Sequence, residues 1–255
     1  NFRPGTMERW NLGYEDLRDV NEGVVMVRIS GYGQTGPDAD KPGFGSIAEG
    51  LSGFANANGF PDSEPLLPPI PLADLVAGHQ ATSAAVSAVL NRELGGGTGQ
   101  EIDVSLYEPL FRLFVGRPEA YDTTGYVDRR TGNRSENSAP RNVYETADGH
   151  ITLSASAQSI FENVARAIDR PELIDDPRFE TNAARLEHVE ELDEIIESWT
   201  RERSTETVLE TMSAADAIVG PVYDIADAFE DEQFRAREDL VSVDDPDLGE
   251  VTTHG

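Results

Sequence analysis

The sequence predicts an α/β protein, and three observations carry that prediction. The segment "GVVMVRISGYG" at 23–33 is β-branched and bounded by glycines, as a buried strand is. Residues 73–94 repeat Ala, Val and Leu at helical spacing, which predicts one long helix. The stretch "GGGTGQ" then turns the chain into the alternating strand "EIDVSLYE". Strand, helix, glycine turn and strand in series fit a layered βα fold.

The remaining elements follow in order. "RPG" marks a turn and "YEDLRDVN" a short helix, both ahead of the first strand. "GQTGPDADKPGFG" is a Gly/Pro loop of the kind that carries binding groups. "SIAEGLSGFANANG" reads as a short helix that breaks at glycine, and "FPDSEPLLPPIPL" as an extended connection. Around 116–138 the chain turns polar and irregular, as a linker does. "RNVYETADG" and "HITLSAS" then form a hairpin pattern with an Asp-Gly turn. Helices are predicted at "SIFENVARAI", "TNAARLEHVEELDEIIESWTRE" and "STETVLETMSAA". A strand-like piece and one more helix follow in "AIVGPVYDIADAFEDEQFRARE". The predicted division is a large domain over 1–115, a linker over 116–138, a small α/β domain over 139–228, and a return segment over 229–255.

Composition narrows the chemistry. Forty-eight acidic residues face 20 basic ones, a formal charge of −28, so nucleic acid and anionic membrane are excluded as partners. Lys41 is the single lysine, and acid is spread along the whole chain. That pattern predicts adaptation to high salt, where the Debye length falls to about 3 Å at 1 M. No cysteine is present, which removes thiolate nucleophiles and disulfides. The four histidines are scattered without metal-ligand spacing, so no metal is expected. The glycine run at 95–97 lacks the Gly-Lys-Ser/Thr of a phosphate loop and reads as a helix stop. A soluble cytoplasmic protein is the expectation.

Asp74 stands out within "PLADLVAGHQ". A carboxylate in the first turn of a helix faces free N–H groups and the positive end of the dipole. Those features suit an N-cap, and the decapeptide alone favours that role. They also suit an ionised nucleophile in an otherwise apolar site. Upstream, Arg3 and Arg9 offer guanidinium forks that match phosphate, although an acidic surface needs counter-charges in any case.

Taken together, "NFRPGTMERWNLGYEDLRDVN", "VVMVRISGYGQTGP", "PGFGSIAEGLSGF", the segment from Leu72 to Glu108, "NVYETADGHI" and "GPVYDIADAFEDEQFRARE" resemble the family III CoA-transferases. The resemblance runs in family order over nearly the whole chain. It implies a layered nucleotide-binding-type large domain, present in part, plus a small α/β domain, with further segments before Asn1 and after Gly255. It implies an interlocked homodimer, acyl-CoA and carboxylate substrates, and no permanently bound cofactor. By the same resemblance Asp74 is the nucleophile that forms an aspartyl-CoA intermediate. Phe2, Arg3 and Arg9 map to CoA contacts, and Pro42, Gly43, Phe44 and Gly45 to the loop beside the pantetheine arm.

Departures from the family pattern sharpen the expectation. Phe44 stands where racemases of the family carry histidine, so the racemase alternative is disfavoured. Gly45 stands where many transferases carry an acid, leaving Glu49 as the nearest carboxylate. The glycines of formyl-CoA transferases are missing near "SENSAPRN". "PGFGSIAEG" and "SLYEPLFRLF" resemble the branch that moves CoA from succinyl-CoA to C4–C5 dicarboxylates, and that resemblance implies an acceptor such as malate, citramalate or mesaconate. A non-catalytic CoA-binding subunit of a heteromeric transferase is the alternative outside catalysis.

Overall fold

The computed structural model describes residues 1–255 and separates into two compact units, Asn1–Gly132 and Asn133–Gly255. The first unit opens with helices α1 (Thr6–Arg9) and α2 (Tyr14–Val20), followed by strand β1 (Val25–Ser30). Two short helices, α3 (Gly45–Leu51) and α4 (Phe54–Ala57), precede the long helix α5 (Leu72–Gly95). Strand β2 (Gln100–Ser105) then pairs parallel to β1, from Val25 opposite Gln100 to Ser30 opposite Ser105. Helices α6 (Tyr107–Phe111) and α7 (Arg117–Thr124) close the unit.

The βαβ crossover has a simple physical basis. Ala73, Ala77, Ala81 and Ala88 are the buried residues of α5, and their small side chains let the helix lie close on the sheet. Ala73, Ala77 and Ala81 pack in one core with Ala48, Val104, Leu106 and Leu110. The helix stops where Gly96 takes a left-handed φ of 118°, as the glycine run predicts. Because a crossover helix runs antiparallel to its strands, the start of α5 returns to the carboxyl ends of β1 and β2. That edge is where ligands bind in parallel α/β sheets.

The second unit holds an antiparallel sheet ordered β3 (Arg141–Glu145), β4 (His150–Ser154) and β5 (Val219–Pro221). The hairpin turn sits at the predicted Asp-Gly, where the Asp148 carboxylate accepts the Thr205 backbone N–H at 2.7 Å. Between β4 and β5 come α8 (Gln158–Ala167), a 3₁₀ turn (Pro171–Ile174), α9 (Asn182–Glu187), α10 (Val189–Thr200) and α11 (Thr205–Ala214). Helices α12 (Ile225–Glu230) and α13 (Glu232–Ala236) lead to a separate hairpin of β6 (Leu240–Asp245) and β7 (Gly249–His254). Tyr144, Ile151, Phe161, Leu192, Ile196 and Met212 form the centre of this unit's core.

Three predicted segments differ in detail. The helix expected across 181–202 is two helices, broken at His188, whose φ and ψ of −115° and 27° leave the α region. The last predicted helix is likewise two, divided at Asp231, whose carboxylate caps α13 through Gln233 and Phe234. The polar stretch after 116 contains α7, which starts after a left-handed Gly116 with proline in its first turn. No helix is long and apolar enough to cross a membrane.

Candidate active site

A cleft of about 280 Å³ opens at the carboxyl ends of β1 and β2, lined in part by Ile29, Ser30, Gly31 and Leu106. Asp74 reaches it from the third position of α5 and is exposed to it. The Asp74 carboxylate lines the cleft without a hydrogen-bond donor from the protein.

The other side of the cleft comes from two segments far apart in sequence. Phe2 and Arg3 line it from the amino-terminal stretch, and Pro42, Gly43 and Phe44 from the glycine loop. The first segment is tied to the sheet by Arg28 of β1, whose Nη1 donates to Glu8 of α1 at 2.6 Å and to Glu101 of β2 at 2.8 Å. The hydrogen bond from Arg28 holds the Glu8 carboxyl below its ordinary pKa. Phe2 stacks edge-on to Trp10 with ring centroids 5.1 Å apart. The loop folds back where Gly31 meets Gly43. A β-carbon on Gly31 would lie 2.7 Å from the Gly43 α-carbon, so the close approach requires glycine at both places.

Two predicted site residues lie elsewhere. Arg9 is outside the cleft lining, and its guanidinium donates to Thr6 Oγ1 at 3.0 Å. Gly45 is also outside the lining and instead lies directly against Asp74. A β-carbon at Gly45 would stand 2.0 Å from Asp74 Oδ2.

The structure adds Lys41 to the site and gives Glu49, the nearest carboxylate, a place at the start of α5. Lys41 lines the cleft with its ammonium 2.7 Å from Asp38 Oδ1, a hydrogen bond that raises its pKa. Its being the chain's single lysine, next to the loop's proline, was the available sequence signal. Glu49 of α3 is 3% exposed, and its Oε1 accepts the Ala73 N–H at 3.2 Å. Helix α5 therefore takes its cap from another helix. Pro71 occupies the N-cap position without a side-chain hydrogen bond, and Asp74 lies too far into the helix to cap it. The capping role expected for Asp74 belongs to Glu49.

Chemically, the cleft combines a carboxylate without a hydrogen-bond donor, two cations, Arg3 and the Asp38-paired Lys41, and two exposed aromatic rings, Phe2 and Phe44. Such a set suits an anionic ligand with an apolar stem, its charge on the cations and its reacting end at Asp74. No three His, Asp or Glu side chains converge on a common point where a metal could sit.

The chain is similar to the succinyl-CoA–D-citramalate CoA-transferase of Chloroflexus aurantiacus, with 42% identity over 252 residues, 98% of this chain and 62% of that protein. It is 37% identical over 254 residues to the succinyl-CoA–L-malate CoA-transferase beta subunit of the same organism, again 98% of this chain and 62% of that one. The chain thus spans about 62% of the length of these relatives. Its fold matches that of a CAIB/BAIF family protein from Brucella suis, with a TM-score of 0.82 and 29% identity over 94% of this chain and 64% of that one. The sequence profile of CoA-transferase family III matches residues 1–255, and the chain belongs to that family.

Proposed function

We propose that this chain carries the nucleophile and part of the CoA site of an enzyme that moves CoA from succinyl-CoA to a C4–C5 dicarboxylate. The observation that carries the reading is the Asp74 carboxylate, without a hydrogen-bond donor in a cleft that also holds Arg3, Lys41 and Phe44. The names of the relatives, which act on citramalate and malate, support the choice of substrates.

The chemistry runs as four acyl exchanges. Asp74 attacks the succinyl-CoA carbonyl, the C–S bond breaks, and a mixed succinyl–aspartyl anhydride forms with free CoA thiolate. The thiolate attacks the aspartyl carbonyl, releasing succinate and leaving an aspartyl-CoA thioester. The acceptor carboxylate attacks that thioester, giving a new anhydride and thiolate again. Attack of the thiolate on the acceptor carbonyl yields the new acyl-CoA and regenerates Asp74. A carboxylate nucleophile fits this sequence because every intermediate is an activated acyl group.

Arg3 and Lys41 would hold the phosphates of CoA, and Phe2 and Phe44 the apolar parts of the ligand. Phe44 has no proton to exchange, which argues against racemisation at the α-carbon. The same reading includes a cytoplasmic homodimer, since CoA thioesters are intracellular metabolites, and a high-salt setting consistent with the charge of −28.

The test is mass spectrometry of the full-length protein after incubation with succinyl-CoA. A CoA-derived mass on the peptide containing Asp74 is expected, and its loss in Asp74→Ala together with transfer activity. Full transfer by Asp74→Ala would remove Asp74 from the mechanism.

A further inference from the structure

We infer that the backbone contact between Gly31 and Gly43 is a clasp that sets the width of the cleft, given that the cleft is the acyl-CoA site proposed above. The clasp holds the wall made by Ala39, Lys41 and Pro42 within reach of the ligand. Both glycines line the cleft, one directly after β1 and the other shortly before α3. Residues 32–42 run between them as a compact surface loop whose ends meet.

Space, and not backbone conformation, requires glycine at these two places. Neither residue has a positive φ, so alanine could adopt either backbone without strain. A β-carbon on Gly31 would meet the Gly43 backbone, its α-carbon at 2.7 Å, its N at 3.2 Å and its carbonyl carbon at 3.3 Å. One on Gly43 would lie 2.8 Å from the Gly31 α-carbon. Backbone atoms cannot swing aside as the tip of a side chain can. Carbon atoms pack at about 3.5 Å or more, so a methyl at either place must part the two chain segments by roughly 1 Å.

That parting falls on the second half of the loop. Gly31 follows Ser30, which pairs with Ser105 of β2 and whose carbonyl accepts the Leu106 N–H at 3.0 Å. The first half of the loop is also tied to β2, where Gln34 N donates to Asp103 Oδ2 at 2.9 Å. The second half bonds only within the loop. Lys41 N donates to Asp38 O at 2.9 Å, and its ammonium to Asp38 Oδ1 at 2.7 Å. These bonds give it no tie to the sheet, which leaves the packing of Gly43 on Gly31. Asp74 lies on α5 and is not carried with the loop. Opening the clasp therefore weakens binding and leaves the nucleophile in place.

The test is steady-state kinetics of the full-length protein with succinyl-CoA, with the melting temperature of each variant as the check on folding. Gly31→Ala and Gly43→Ala should each raise the KM for succinyl-CoA roughly tenfold, with kcat within about threefold of wild type. A folding defect alone would lower kcat through the active fraction and leave KM in place. Gly50→Ala, exposed on α3 with no atom within 4 Å of the added carbon, should match wild type. A wild-type KM in the folded clasp variants would overturn the inference, and so would an equal rise in Gly50→Ala. If one clasp variant does not fold, the other decides. Hydrogen exchange of the wild type covers the case in which neither folds. Amides within residues 39–44 should gain protection when CoA is added, and unchanged exchange there would overturn the inference. A wild type with no affinity for CoA or succinyl-CoA would overturn the acyl-CoA reading itself, and the clasp with it.

Discussion

The Tyr144 hydroxyl donates to Asp193 Oδ1 at 2.6 Å, inside the core of the second unit. Arg134 Nε donates to Asp193 Oδ2 at 2.7 Å and Asn142 Nδ2 at 2.9 Å, so one carboxylate joins strand β3 to helix α10. Burial, and then the charge of Asp193, push the Tyr144 phenol well above its ordinary pKa.

Tyr144 therefore makes stability depend on pH on the alkaline side. Below the ordinary tyrosine pKa of about 10, both folded and unfolded chains keep the proton. Above it the unfolded chain loses the proton first, so stability falls as pH rises. Urea midpoints measured from pH 9 to 11 should drop less steeply in Tyr144→Phe than in wild type. At pH 8 that variant should be less stable by about 2 kcal/mol, the worth of a hydrogen bond to a charged group. Equal slopes for the two proteins would show that Tyr144 ionises as easily folded as unfolded.

Arg185 should be the most sensitive cation for stability. It is fully buried without a carboxylate partner, and Ala139 O, Phe179 O and Gln158 Oε1 accept from it at 2.6, 3.0 and 2.9 Å. Its guanidinium also lies 4.3 Å from the Phe161 ring centroid. Arg185→Ala strands these acceptors and should cost at least about 3 kcal/mol in chemical denaturation. Arg185→Lys should recover little, because one ammonium cannot span the fork.

Lys41 and Arg3 should act on binding more than on chemistry. Lys41→Ala and Arg3→Ala should each raise the KM for succinyl-CoA about tenfold with kcat nearly unchanged, the mark of uniform binding. A loss confined to kcat would place these cations at the reacting carbonyl instead of the phosphates.

Salt should stabilise the fold. With a formal charge of −28, self-repulsion exceeds what exposed pairs such as Arg18–Glu15 return, typically under about 1 kcal/mol each. Raising NaCl from 0.1 to 1 M shortens the Debye length from about 10 to about 3 Å. The melting temperature should rise over that range. A falling melting temperature would mean that the ion pairs dominate.

Local pattern was enough for the elements whose own residues specify them. The alanine period marked α5 to within a residue at each end, and the β-branched run marked β1. The split at His188 was hidden because residues on both sides carry helical pattern and only the backbone of one residue departs. The β6–β7 hairpin escaped because its strands pair only with each other and their alternation is weak.

The sequence by itself determined the α/β class, the acidic surface, the family and Asp74 as a residue of interest, since each is written in composition or in consecutive residues. Only the tertiary structure decided that Asp74 does not cap its helix, that Glu49 does, and that Gly45 lies against the carboxylate. Those facts join residues 24 or more positions apart in the chain. They depend on how α3 packs on α5, and no local periodicity encodes the meeting of two helix faces.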